Sequence, residues 1–128
     1  MTAREEIRVP TRPVLSHAAD AVRAGGYVFV AGILPADSAG ALVGGDDVVA
    51  QAERVFGDLG EILGAAGCSF PDVAKVTVFL TDVADRAAIN HVRQRVFGGA
   101  RPASTLVEVS ALAVPGAKIE VDCVAVVP

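Results

Sequence analysis

The sequence is poor in several residue types on which particular functions depend. It has no tryptophan, one tyrosine, one methionine, two cysteines and two lysines among 128 residues. No apolar run approaches the ~20 residues that span a bilayer, and residues 1–6 lack the apolar stretch of a secretory signal peptide. The sequence therefore predicts a cytoplasmic protein. Cys68 and Cys123 form no CxxC pair and have no histidine at metal-ligand spacing, so we expect buried free thiols.

Basic charge is also scarce. The chain has 11 Lys and Arg against 15 Asp and Glu, a formal net charge of −4. Nucleic-acid-binding proteins need a basic patch, because neutralisation of phosphates supplies most of their affinity. The longest basic cluster here runs from Arg93 to Arg95 and is followed by Arg101. We therefore expect no nucleic-acid partner.

Apolar residues, by contrast, are abundant. They make up 52% of the chain, and the mean hydropathy is +0.51, which excludes a disordered protein. The length is that of one domain, and no repeat, low-complexity segment or charge block divides it. We interpret residues 1–128 as a single domain whose surplus apolar surface is buried between subunits.

The periodicity of the apolar residues predicts two helices and a set of strands. A hairpin is expected at 21–31, because Gly25 and Gly26 supply the positive φ of a tight turn. A loop or irregular strand follows at 32–45. Besides the hairpin strands at 21–24 and 27–31, four further strands are expected, at 5–9, 73–80, 105–109 and 118–127. A second helix is expected at 84–97.

The first helix is the most clearly marked. Asp46 stands where its N-cap should be and Gly67 at its C′ position. One apolar stripe recurs at steps of three and four: Val48, Ala52, Val55, Phe56, Leu59, Ile62, Leu63 and Ala66. Polar residues, Gln51 and Asp58 among them, fall largely off that stripe. For the second helix the expected inner face is Ala88, Ile89, Val92 and Val96.

This order of elements predicts an α+β fold, in which one mixed β-sheet carries two helices packed on one face. Tyr27 and Phe29 alternate with Val28 and Val30, so both faces of that strand are apolar and the uncovered face should not meet water. On the last strand, one face begins with charged residues such as Glu120 and becomes apolar. That face suits a pocket rim leading into a subunit interface, or else a solvated strand end beside ordinary core.

Common catalytic motifs are missing. The sequence has no GxxxxGK[ST] phosphate loop, no HExxH zinc motif and no GxSxG nucleophile elbow. The two histidines, His17 and His91, have no third ligand candidate nearby, so we expect no metal site.

Six segments together resemble the RidA/YjgF (Rid) family of enamine/imine deaminases. They are LSHA at 15–18, VFVAG at 28–32, DVAKVTVFLTD at 72–82, Asn90, RPASTLVEV at 101–109 and KIEVD at 118–122. The resemblance implies a chorismate-mutase-like subunit and a homotrimer with a central β-barrel, helices outside and three inter-subunit clefts. It also implies hydrolysis of a small-molecule substrate, a reactive enamine or imine such as 2-aminoacrylate, to a 2-keto acid and ammonia, with no metal or organic cofactor. We also expect no membrane partner.

The resemblance also assigns site residues. Glu120 matches the family's water-orienting or proton-transferring glutamate, Gly32 a pocket glycine, and Asn90 a helix asparagine with a more structural role. Ser104 stands where the family has the arginine that binds the substrate carboxylate, and Thr105 follows it in the same segment. For Glu120 a structural alternative is a salt bridge with Lys118 or a solvated strand position.

Two further residues are candidates for the cleft. His17 is expected beside it as an acid/base near neutral pH, or else as a partly buried loop histidine hydrogen-bonded to backbone. Arg101 is the nearest substitute for the missing arginine. On a regular strand it would point to the opposite face about 10 Å away, although a loop at 101–102 would relax that objection.

The substitution at position 104 bears on function. A serine hydroxyl cannot replace the two parallel charge-assisted hydrogen bonds of a guanidinium, so deamination of 2-aminoacrylate is doubtful. We predict a hydrolase acting on another enamine, imine or related intermediate. The alternatives are a non-catalytic trimer that binds a metabolite or partner, a biosynthetic enzyme of another reaction type, and, disfavoured by the acidic charge, a ribonuclease.

Overall fold

The computed structural model describes residues 3–12 and 14–128. Within them, six strands form one mixed sheet in the order β1-β2-β3-β6-β4-β5. The strands are β1 (Glu5–Ile7), β2 (Ala21–Ala24), β3 (Tyr27–Ile33), β4 (Val73–Leu80), β5 (Ala103–Glu108) and β6 (Ile119–Val126). The β4–β5 pair is parallel, and the other neighbouring pairs are antiparallel. The helices are α1 (Val48–Ala65) and α2 (Arg86–Phe97), and single 3₁₀ turns lie at Phe70–Asp72 and Val83–Asp85.

The hairpin between β2 and β3 is confirmed, with Gly25 and Gly26 at φ 59° and 84°. β3 continues two residues beyond its predicted end, and its pairing with β6 shifts register between Val30 and Ile33. The segment at 32–45 therefore begins as an irregular strand. This irregularity places Gly32 at the edge of the candidate site described below.

Helix α1 begins one residue later than predicted. The side chain of Asp47, not that of Asp46, caps it by accepting hydrogen bonds from Val49 N at 2.9 Å and Ala50 N at 3.3 Å. Asp46 instead forms an ion pair with Lys118, whose Nζ atom lies 3.0 Å from Asp46 Oδ1. At the other end Gly67 has φ 78°, as the C′ prediction requires.

The apolar stripe of α1 is buried as predicted, but two polar residues are buried with it. Gln51 donates to the carbonyl oxygens of Gly45 and Gly116, and its amide oxygen accepts from Lys118 N at 2.7 Å. Asp58 is buried beneath Arg12, whose guanidinium lies 2.5 Å from its carboxylate. Placing these two residues off the buried face was wrong, because partners from distant loops satisfy their polar atoms.

The predicted inner face of helix α2 is confirmed in part. Ile89 and Val92 are buried, but Ala88 is exposed and Val96 is half-buried. Phe97 completes the buried face by packing edge-on against the rings of Phe56 and Phe70. The 3₁₀ turn ahead of α2 delays the helix start from the predicted residue 84 to Arg86.

The sheet has one face covered by helices and one open face. Val28, Val76 and Val121 are fully buried on the covered face. On the open face Tyr27 and Phe29 are 49% and 48% exposed, so the prediction that both faces of this strand are apolar is confirmed.

Cys68 and Cys123 are free and buried, as expected. Burial raises the pKa of the Cys123 thiol to about 12, with smaller contributions from Asp122 and Cys68. This thiol therefore stays protonated at neutral pH and behaves as a small apolar side chain. Among residues 3–12 and 14–128, no helix combines the length and low charge content that crossing a bilayer requires.

Candidate active site

Glu120 lies on the open face of the sheet, in the middle of the charged part of β6. It is half-buried and pairs across the ladder with Phe79 of β4. Burial raises the pKa of its carboxyl group, and the nearby charge of Asp122 raises it further. The ammonium group of Lys118 binds Asp46 instead, so the alternative of a Lys118–Glu120 salt bridge is wrong.

Gly32 provides the space that the Glu120 carboxylate occupies. A Cβ atom built on Gly32 would overlap Glu120 Oε2 and would lie 3.0 Å from Glu120 Cδ. The register shift in β3 directs position 32 toward Glu120, so that any other residue would place its side chain there. Gly32 and Glu120 are therefore brought together, 88 positions apart in the sequence.

Ser104 lies on the edge strand β5 and faces the helices, since it pairs with the buried Val76. A guanidinium group from another element lies beside the Ser104 side chain. Arg93, on α2, donates a hydrogen bond from Nη2 to Ser104 Oγ at 2.5 Å. The next residue, Thr105, faces the open side and accepts a hydrogen bond from Lys75 Nζ at 2.5 Å.

Arg93 belongs to a basic cleft of about 290 Å³ between α2 and the chain that leads into β5. Arg86, Asn90 and Arg93 line it from the helix. Arg101 lines it from the loop before β5, since this strand begins only at Ala103. The loop before β5 thus brings Arg101 to the same cleft as Arg93, the hydrogen-bond partner of Ser104.

The cleft carries unbalanced positive charge. In the described part of the chain, no carboxylate lies within 4.0 Å of the guanidinium groups of Arg86, Arg93 or Arg101, whereas Arg95 on the same helix pairs with Glu53. Burial lowers the pKa of Arg93, and the charge of Arg86 lowers it further. From the sequence, Arg93 was identified only as the first residue of the longest basic cluster. Its spacing of seven residues from Arg86 and three from Asn90 on one helix face was the signal that could have identified it.

His17 lies in the loop before β2, where its side chain is exposed. It lines an open depression of about 570 Å³ together with Phe29 and Ala31 on the open face. The alternative of a partly buried, backbone-bonded histidine is therefore wrong. No group of three or more His, Cys, Asp or Glu side chains is placed to hold a metal ion within 3–12 and 14–128.

The predicted site residues form two groups. Glu120, Gly32, Thr105 and His17 belong to the open side of the sheet. Asn90 and Arg101 line the cleft at the α2–β5 edge, and Ser104 faces the helices and is bonded to Arg93 of that cleft. Phe79 of β4 pairs with Glu120 of β6 on one side and with Val107 of β5 on the other. Val107 is therefore two strands away from Glu120, and Ser104 lies three residues before Val107 on the same strand. Those spacings separate the two Cα atoms by roughly 14 Å, and the two side chains point to opposite faces of the sheet.

Comparison with known proteins gives a consistent result. A family model described as Endoribonuclease L-PSP matches residues 10–127. Protein DfrA of Myxococcus xanthus is 47% identical over 105 residues, 82% of this chain and 79% of that protein. The 2-iminobutanoate/2-iminopropanoate deaminase of Capra hircus is 40% identical over 100 residues, 77% of this chain and 72% of that protein.

The solved structures agree on the fold. RidA from an Antarctic Psychrobacter superimposes with a TM-score of 0.88 at 33% identity, covering 95% of this chain and 98% of that one. The mixed sheet with two helices on one face is the chorismate-mutase-like fold expected from the sequence. The resemblance proposed from sequence segments is confirmed, and the chain belongs to the Endoribonuclease L-PSP family, that is, the YjgF/RidA family.

Proposed function

We propose that the protein hydrolyses a reactive enamine or imine to a carbonyl compound and ammonia without a cofactor, with Glu120 as the group that orients and deprotonates water. The observation that carries this proposal is the half-buried Glu120 carboxylate held over Gly32, with no ion pair to a cationic side chain of residues 3–12 and 14–128. A carboxylate freed from ion pairs and partly desolvated is a better proton acceptor near neutral pH than an ordinary surface glutamate.

The reaction can be balanced with this residue alone. The substrate reacts as its protonated iminium form: the oxygen atom of water attacks the iminium carbon while Glu120 accepts one of its protons, which gives a neutral carbinolamine. Glu120 then returns this proton to the nitrogen, the C–N bond breaks and ammonia leaves. The carbinolamine hydroxyl becomes the carbonyl by passing its proton to the Glu120 carboxylate, which gives it up to the ammonia as ammonium. An enamine enters the same sequence after protonation at carbon.

The proposed substrate is not a small free 2-imino acid bound as in arginine-bearing relatives. Losing a desolvated charge pair costs about 2–5 kcal/mol, or roughly 30- to 5000-fold in affinity. A substrate the size of 2-aminoacrylate offers little other surface for compensation. We propose a larger enamine or imine.

We further propose that the active site forms between subunits of a homotrimer, whose open sheet faces line a central barrel. The large exposed aromatic and aliphatic side chains on this face support burial against further copies of the chain: Tyr27, Phe29, Val107 and Val126. Because one subunit holds Glu120 and Ser104 on opposite faces, the carboxylate of one copy would meet the α2–β5 edge of its neighbour.

The test is ammonia release above the spontaneous rate. 2-Aminoacrylate from a serine dehydratase, and larger 2-imino acids generated from amino acids by an amino acid oxidase, would be offered to the purified protein and to Glu120→Gln. We expect little acceleration with 2-aminoacrylate, clear acceleration with a larger imine, and a loss of about 100-fold or more in kcat in the variant. Full turnover of 2-aminoacrylate that depends on Glu120 would contradict the altered substrate.

A non-catalytic trimer is the second candidate, favoured by the serine at position 104. It predicts that a ligand leaves the cleft chemically unchanged and binds Glu120→Gln as well as the wild type. Mass spectrometry of the bound and released ligand distinguishes this candidate from the enzyme.

A further inference from the structure

We infer that the basic cleft between α2 and β5 is a carboxylate subsite, in which Arg93 supplies the guanidinium that residue 104 lacks. The inference rests on the proposed function and narrows its substrate to an enamine or imine that carries a carboxylate but is longer than 2-iminopropanoate. Nothing in the similarity to known relatives assigns a role to Arg93.

The position of Arg93 supports the relocation. Its Nη2 atom lies 2.5 Å from Ser104 Oγ, so the guanidinium sits beside the first side-chain atoms of residue 104. An arginine at position 104 would hold its own guanidinium several ångströms further out, at the tip of the side chain. A carboxylate bound to Arg93 would therefore lie deeper, toward α2, which leaves room in the site for a longer substituent on the reacting carbon.

The charges around Arg93 support an anionic occupant. Arg86 and Arg101 line the same cleft, and no carboxylate of the described residues neutralises any of the three. Gathering like charges in a partly desolvated cleft is unfavourable unless an anion binds there. This concentration of positive charge is notable in a chain whose formal net charge is −4.

The hydrogen-bonding groups suit a carboxylate of modest size. Ser104 Oγ uses one guanidinium N–H of Arg93, which leaves further N–H groups in the planar arrangement that binds a carboxylate with two hydrogen bonds. Asn90 adds an amide one turn earlier on α2. The volume of about 290 Å³ is near the lower end of the roughly 300–1,000 Å³ of small-molecule sites.

Binding of 2-keto acids, the expected products, tests the inference without requiring turnover. Calorimetry would compare 4-methyl-2-oxopentanoate with pyruvate for the wild type, Arg93→Gln and the matched control Arg95→Gln. Arg95 lies on the same helix but is exposed and paired with Glu53. We expect Arg93→Gln to weaken binding of the longer acid by about 30-fold or more, and Arg95→Gln to change it less than about twofold.

A second variant tests the location of the guanidinium. In Ser104→Arg combined with Arg93→Gln, the positive charge returns to the tip of residue 104, so preference should shift toward pyruvate. With imine substrates, Arg93→Gln should raise KM far more than it lowers kcat, whereas Glu120→Gln should lower kcat.

Several results would overturn the subsite. They are equal 2-keto acid binding by Arg93→Gln and Arg95→Gln with both variants folded, no shift in preference in the double variant, or much tighter binding of inorganic phosphate than of any carboxylate. If 2-keto acids bind through Arg93 but no imine is hydrolysed, the proposed function fails and the subsite stands.

Discussion

The proposed chemistry of this protein depends on two side chains whose surroundings differ from those of ordinary surface residues. Glu120 is partly withdrawn from water and placed over a glycine, and no cationic side chain of the described residues pairs with it. Arg93 lies beside a second arginine, and it forms no ion pair with a carboxylate of residues 3–12 and 14–128. A water-activating base and an anion-binding group are the two parts that hydrolysis of an anionic imine requires.

The raised pKa of Glu120 predicts a pH dependence of stability. Glu120 binds a proton more tightly in the folded state than in the unfolded state. Its contribution to stability is therefore fully present below the ordinary glutamate pKa of 4.5, and it is lost as the pH rises through the pKa of Glu120 in the folded state. Glu120→Gln should therefore unfold at a higher temperature than the wild type at pH 7. Thermal scans between pH 4 and pH 8 would check this, and an unchanged difference at all pH values would contradict it.

The same shift predicts the direction of the pH–rate profile. Because the carboxylate form is the proposed base, kcat/KM should rise with pH through a pKa above 4.5. Rate measurements across that range, corrected for spontaneous hydrolysis, would check it. A rate that falls over this interval would show that Glu120 acts in its protonated form.

Gly32→Ala tests the positioning of the carboxylate. The three atoms nearest to the added methyl group all belong to the Glu120 side chain, and this side chain can move at little cost in stability. We expect kcat to fall by at least about tenfold with an unfolding free energy within about 1 kcal/mol of wild type. Undiminished activity would show that the carboxylate position over Gly32 is not required.

At the level of secondary structure, the site depends on how α1, α2 and β5 are held against the sheet. Gln51, near the start of α1, forms two hydrogen bonds with the loop before β6, at Gly116 and Lys118, and a third with Gly45 in the loop before α1. Phe97 anchors the end of α2 against Phe56 of α1, so that Arg93 reaches β5. The elements thus fix the cleft through contacts distant in sequence.

Gln51→Leu should destabilise the protein by about 3 kcal/mol, because it leaves the buried Lys118 N and two carbonyl oxygens without partners. Urea unfolding would measure this, with Glu61→Ala on the exposed side of the same helix as the control. A change in Gln51→Leu no larger than in the control would mean that water satisfies those groups.

Periodicity predicted much of the fold but little of the site. The α1 stripe and the β2–β3 hairpin follow from local spacing, so they could be identified from sequence. The burial of Gln51 and Asp58 depends on partners at 116 and 12, which no local pattern reveals. The spacing of Arg93 from Arg86 and Asn90 on one helix face is visible in the sequence, but its contact with Ser104 depends on how α2 packs against β5, which no local pattern reveals.

At the scale of the whole molecule, one subunit separates the two halves of the chemistry. Glu120 faces the open, apolar side of the sheet and Arg93 faces the cleft on the other side. A homotrimer that buries the open face would reunite them across each interface. Light scattering should then report a trimer in dilute buffer, and a stable monomer would contradict this arrangement.

Subunit complementation tests the shared site most directly. At substrate concentrations well below the KM of Arg93→Gln, this variant and Glu120→Gln would each be nearly inactive alone on a carboxylate-bearing imine. If each site takes its carboxylate from one subunit and its guanidinium from the next, random mixing at equal amounts restores about a quarter of the wild-type sites. We predict that co-refolded mixed trimers regain about that fraction of the ammonia-release activity. Mixed trimers no more active than the separate variants would contradict a site built from two subunits.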